Sequence, residues 1–129
     1  MKKAKAPRPT DAELEILGVL WRLGPSTVRE VHDHLSGKKS MVYTTILKLM
    51  QIMMGKGLVE RDEHDRAHLY RAKLPQEQTQ RQLLTHLLER AFEGSASQLV
   101  MQALSSKRAS REELARIREL LDNFERGAK

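Results

Sequence analysis

The sequence predicts a mainly α-helical fold carrying one small β-hairpin. Capped, amphipathic helical patterns recur between residues 10 and 57, a short pair of strand-like segments follows over 58–72, and three more helical patterns fill the rest. With 129 residues the chain suffices for one domain, or a small domain with an appendage. Apolar residues reach 40% but aromatics only 4%, so the core must be built from Leu, Val, Ile, Met and Ala. No run of about 18 apolar residues marks a membrane span, and no apolar segment follows the basic N-terminus as a secretory signal requires. Cysteine is absent, which excludes disulfides, thiolate metal sites and cysteine nucleophiles and fits the cytoplasm.

The net charge of +6 is unevenly spread. Residues 1–10 hold Lys2, Lys3, Lys5 and Arg8 without an acid, and the run from Lys38 to Lys56 holds Lys38, Lys39, Lys48 and Lys56, again without an acid. Affinity for a duplex comes largely from phosphate neutralisation, so two concentrated basic stretches suit a polyanion binder. The bland alternative is a solvated, generally basic surface.

Residues 1–9, with two prolines and four cations, predict a disordered basic arm. Thr10 and Glu13 have capping-box spacing and open the first helix, with Asp11 favoured at its positive end. Leu14, Leu17 and Trp21 recur on one face, Trp21 as a core anchor, and Gly24-Pro25 stops the helix. Thr27 and Glu30 repeat the box and open a second helix to about Leu35, with Val28, Val31 and Leu35 inward. Arg29 and the exposed start of this helix are placed to meet a phosphate. After the basic turn at Lys38-Lys39, Ser40 is expected to cap a third helix that ends at Gly57. Val42, Ile46, Leu49, Met50 and Met53 form its inward stripe; Tyr43, Thr44, Leu47, Lys48 and Gln51 fall on the other side. Hydroxyls, an amide and a lysine on an exposed helix face can read base edges and hold phosphates, and Leu47 would suit a thymine methyl.

Leu58 to Arg61 predicts a strand, 63–66 a turn, and Ala67 to Ala72 a return strand with Leu69 in a half-buried alternation. Three helices followed by such a hairpin make a winged helix-turn-helix. The wing holds Arg61, Arg66, His68 and Arg71, but Asp62, Glu63 and Asp65 near its tip repel phosphate, so only Arg66 and His68 are expected at a DNA backbone.

Pro75 begins a second part, giving an arm at 1–9, a winged-helix domain at 10–74 and a helical region at 75–129. Its helices, the last opened by Ser110 and Glu113 as a further capping box, expose Leu84, Leu87, Leu88, Leu99, Val100, Leu104, Leu114, Ile117, Leu120, Leu121 and Phe124. This region is too short for its own core. Nothing in the chain covers these faces, so the expected cover is a second copy related by a two-fold axis. The alternative is that they fold back on the first domain.

The order of motifs resembles the penicillinase-repressor family, which includes β-lactamase, methicillin-resistance and copper-responsive repressors. The resemblance covers roughly residues 9–122. It rests on TDAELEILGVLW from Thr10, TVREVHDHL from Thr27, TTILKLMQIMMGKGLV from Thr44, RAHLYRA from Arg66, and the later LVMQAL and SREELARIRELL segments. It implies a homodimeric transcriptional repressor binding a palindromic promoter operator, one winged helix per half-site, paired through the C-terminal helices. It also implies that Tyr43, Thr44, Lys48 and Gln51 sit where family members contact DNA. Two family features do not carry over. Gln102-Ala103 stands where resistance repressors have the Asn-Phe pair that is proteolysed, and there is no cysteine for a copper-binding tail.

Two other function classes are disfavoured. No carboxylate pair, nucleophile elbow or phosphate loop supports an enzyme, and no cofactor is expected. His32 and His34 point roughly 200° apart on a helix and cannot chelate one metal together. A winged helix used only for protein contacts would suit the wing acids, but not the acid-free run from Lys38 to Lys56.

Overall fold

Helix capping lays out the N-terminal half. In a computed structural model, which describes residues 7–36, 41–63, 68–106 and 109–127, both predicted N-terminal boxes close reciprocally. Thr10 Oγ1 accepts from the Glu13 N–H while Glu13 Oε1 accepts from the Thr10 N–H, and Thr27 pairs with Glu30 in the same way. They open α1 (Asp11–Leu23) and α2 (Val28–Leu35). The third helix, α3 (Tyr43–Lys56), ends at Gly57, whose φ of 83° is a left-handed conformation that glycine adopts without a Cβ penalty. The hairpin follows at once as β1 (Val59–Asp62) and β2 (Leu69–Ala72), antiparallel with Val59 opposite Ala72 and Arg61 opposite Tyr70. Then come α4 (Gln76–Ala91), α5 (Ala96–Ser106) and α6 (Arg111–Gly127). The result is a winged helix-turn-helix followed by three helices, as the sequence predicts.

The chain divides into two compact units, Met1–Leu84 and Thr85–Lys129, with the division inside α4. The first unit has a continuous core. Ile16, Leu17, Val19 and Leu20 of α1, Val28, Val31 and Leu35 of α2, and Ile46, Met50 and Met53 of α3 meet Leu58, Val59 and Tyr70 of the hairpin. Trp21 lies against this core, partly buried, and its indole N–H donates to the Leu74 carbonyl at 3.0 Å, tying the end of α1 to the chain leaving the hairpin.

Four features depart from expectation. The cap of α3 is Val42, with no side-chain cap hydrogen bond; Ser40, the expected cap, lies outside the described residues. Its extended backbone turns Val42 off the helical stripe, leaving it 60% exposed instead of inward. In β2 the deeply buried residue is Tyr70, at 2% exposure, whereas Leu69 is half-buried. Tyr70 also gains a second partner strand position. Its N–H and carbonyl exchange hydrogen bonds of 2.8 and 2.9 Å with Ser26, so the link between α1 and α2 clamps the outer edge of the hairpin.

The fourth is an ion pair between helix ends distant in sequence. Glu13 is only 2% exposed, and Lys56 Nζ donates to both of its carboxylate oxygens at 3.0 and 2.8 Å. Burial alone would push the Glu13 carboxyl up. The bonds from Lys56 and Thr10 outweigh it and hold the group below 4.5.

The second unit contrasts with the first. No residue of α5 or α6 is buried. Leu120, Leu121 and Phe124 are 53%, 58% and 70% exposed, so α6 carries an apolar stripe in water. None of the apolar residues assigned above to pairing, from Leu84 to Phe124, is buried in the single chain.

Removing the cation from the Glu13–Lys56 pair strands a buried carboxylate. Lys56→Met is expected to cost about 2 kcal/mol, less than the ~3–5 kcal/mol of a fully buried pair because Lys56 is partly solvated. The folded carboxyl titrates below 4.5, so the unfolded chain holds its proton more tightly. The pair's contribution is therefore complete above pH 4.5 and lost as pH falls through the lower folded value. Urea unfolding of both chains near neutral pH and in acid checks this: the difference is full in the first condition and shrinks in the second.

Candidate nucleic-acid interface

The candidate interface is built on α3, because burying one stripe of this helix dictates what the other presents. Ile46, Met50 and Met53 are fully covered. The opposite face exposes Thr44, Thr45, Lys48, Gln51, Ile52 and Gly55. Thr44, Lys48, Gln51 and Gly55 follow one another at the spacing that stacks side chains on one helix face. That face offers hydroxyl, ammonium and amide groups, the set that bonds base edges and phosphates. It bears no carboxylate.

Leu47 is a correction to the predicted outer face. It is half-buried and packs against the core, as does Met54. Position 47 lies about 100° round the helix from Ile46, on the border of the buried stripe, and the seven-residue step to Met54 keeps both on that border. Thr45 and Ile52 also belong to the exposed face and are not among the predicted contacts; Thr45 three residues before Lys48 and Ile52 four after it is the helical spacing that marks them.

Tyr43, 37% exposed, stands where α3 meets α2. The Arg29 guanidinium lies 5.1 Å from the centre of its ring, and the His32 ring meets it edge-on at 6.0 Å. α2 and α3 thus share an aromatic contact at their solvent seam.

Several cations are already committed elsewhere. Lys56 rests on Glu13. In the wing, Arg61 pairs with Glu63 and Arg71 with Glu60, the latter at 2.8 Å, while an Arg61 N–H also reaches the Tyr70 hydroxyl at 3.5 Å. Within the described part of the wing, both of these arginines thus sit on carboxylates, a pairing the sequence reading does not include. His68 is exposed. Lys38, Lys39 and Arg66, like most of the basic arm, lie outside the described residues. Among the described residues no three His, Cys, Asp or Glu side chains are grouped to hold a metal ion, and no helix is long and apolar enough to cross a membrane.

Comparison with known proteins agrees with this geometry. A family model described as Penicillinase repressor matches residues 9–123. A Transcriptional regulator BlaI of Mycobacterium tuberculosis (strain CDC 1551 / Oshkosh) is 41% identical over 68 residues, 52% of this chain and 49% of that one. The chain therefore spans about half the length of that relative. A Penicillinase repressor of Bacillus licheniformis is 24% identical over 118 residues, covering 92% of each chain. These relatives are named as regulators or repressors, not as enzymes. Among solved structures, the solution structure of the Bacillus licheniformis BlaI monomeric form in complex with the blaP half-operator is 26% identical, with a TM-score of 0.51, over 57% of this chain and 89% of that one. The solution structure of the DNA binding domain of the repressor BlaI matches equally well, with a TM-score of 0.51 and 90% of its chain covered. With the family model spanning nearly the whole sequence, the chain belongs to the penicillinase-repressor family.

Proposed function

We propose that this chain is a transcriptional repressor that works as a homodimer in the cytoplasm, binding a palindromic operator in double-stranded DNA and occluding a promoter. The observation that carries the reading is the outer face of α3, polar and free of carboxylates beside a hairpin wing. Each winged helix of the dimer takes one half-site. Thr44, Lys48 and Gln51, with Tyr43 at the start of the helix, supply base or near-base contacts in the major groove. Leu47, on the border of the core, contributes at most through its exposed edge. Lys38, Lys39, Arg66 and His68 supply phosphate contacts that set the register. A relative solved with a half-operator bound supports the same use of this domain.

Pairing is assigned to the C-terminal helices. Leu84, Leu87 and Leu88 of α4, Leu99, Val100 and Leu104 of α5, and Leu114, Ile117, Leu120, Leu121 and Phe124 of α6 present apolar surface that the single chain leaves exposed or, at Leu88, Leu99 and Ile117, half-covered. A second copy buries it, and binding two half-sites at once then multiplies the affinity of each.

A gel-shift titration against random duplex at low and high salt separates this reading from a winged helix used for protein contacts. The repressor reading requires binding that weakens steeply with salt; salt-insensitive or absent binding overturns it. Within that assay Lys48→Ala is expected to weaken binding to every sequence and to lower the salt slope by about one ion if Lys48 touches phosphate. If it reads guanine instead, only particular operators suffer. Leu120→Asp or Leu121→Asp is expected to give monomers with operator affinity reduced about a hundredfold or more. Sedimentation that finds an intact dimer in both variants removes the C-terminal helices as the interface.

A further inference from the structure

Among the described residues, Arg29 is a cation held against an aromatic ring, where Lys56, Arg61 and Arg71 are held by carboxylates. Arg29, in the first turn of α2 and exposed, has its guanidinium carbon 5.1 Å from the centre of the Tyr43 ring. Acids are close by in sequence, yet they are used otherwise. Glu30 closes the cap with Thr27. Asp33 stands four residues on, a spacing at which helical ion pairs form, but its carboxylate lies 3.3 Å from His32 Nδ1. His32 in turn packs edge-on against the other side of the seam, 6.0 Å from the Tyr43 ring.

An aromatic face holds a guanidinium in place without cancelling its charge, whereas a carboxylate cancels it. The rigid fork of N–H donors stays available for a phosphate, which it can grip with two bonds. The position is suited to that task, because the first helix of a helix-turn-helix crosses the DNA backbone while the second enters the groove. Tyr43, as the first residue of α3, joins the two helices at that crossing.

We infer that Arg29 is a DNA-phosphate contact and that Tyr43 is the positioning residue that aims it, so that α2 and α3 dock on the duplex as one surface. This rests on the DNA-binding reading above. It assigns the ring of Tyr43 a task distinct from base reading: its hydroxyl is dispensable for aiming Arg29, its ring is not.

The test is a mutant cycle measured by fluorescence anisotropy on a random duplex over a series of potassium chloride concentrations, with thermal melts confirming that each chain folds. Arg29→Ala is expected to lower the salt slope by about one ion. The penalty of Arg29→Ala is then measured in two Tyr43 backgrounds. In Tyr43→Phe, which keeps the ring, it equals the penalty in the wild-type chain. In Tyr43→Leu it shrinks by about two- to fivefold, the scale of an exposed cation–π contact. An unchanged salt slope in Arg29→Ala overturns the phosphate contact. An equal penalty in all three backgrounds overturns the positioning role. If the wild-type chain binds no duplex at any salt concentration, the DNA-binding reading itself falls, and the inference with it.

Discussion

The ion pair between Glu13 and Lys56 fastens the end of α3 to the beginning of α1, and the exposed helix face depends on that attachment. Glu13 performs two tasks with one side chain. It closes the cap of α1, accepts the Lys56 ammonium on both oxygens, and does so almost without solvent. A carboxylate so buried is tolerable only while its partners are in place. Gly57 then turns the chain out of α3 in a left-handed conformation, and Leu58 and Val59 enter the core at once. Helix end, turn and wing are thereby placed by one cluster of short-range constraints, and the stripe of Ile46, Met50 and Met53 sets the rotation of α3 about its axis.

Charge is distributed to the same effect. Basic composition alone overstates how much positive surface meets a ligand, because Lys56 serves stability and the wing arginines serve Glu60 and Glu63. What remains on α3 is a largely neutral, hydrogen-bonding face with Lys48, flanked by Arg29 on its aromatic support. Such a face is suited to discriminating sequences more than to gripping phosphate. On the proposed reading, grip falls to its flanks and to a second copy, in keeping with α5 and α6, of which no residue is fully buried in the single chain.

Most of this architecture was legible in the sequence because local chemistry signals it. Threonine–glutamate boxes mark the starts of α1 and α2, glycines mark the ends of α1 and α3, and the apolar period of Ile46, Met50 and Met53 marks the buried side of α3. What was not legible depends on contacts between distant residues. Nothing local tells that Lys56 will find Glu13, that Ser26 will bridge Tyr70, or that Arg29 will choose an aromatic ring over Asp33. The misplaced start of α3 has a related cause. Ser40 is a better cap than Val42 by intrinsic preference, yet the helix begins after Val42, where the core stripe and the seam with α2 hold Tyr43. Leu47 escapes a reading by periodicity for a simpler reason: a residue one step from a buried stripe can lie on either side of its border.

The central claim is that α3 enters the groove of a duplex with its Thr44–Lys48–Gln51 face foremost. The absence of native cysteine permits a direct measurement. A Gln51→Cys chain carrying a photoactivatable crosslinker on its single thiol is bound to a duplex selected from a random library and illuminated. Crosslinks from residue 51 to bases within each half of the bound site are the predicted result. A chain that binds the duplex but yields no crosslink to bases from this position contradicts the placement of α3.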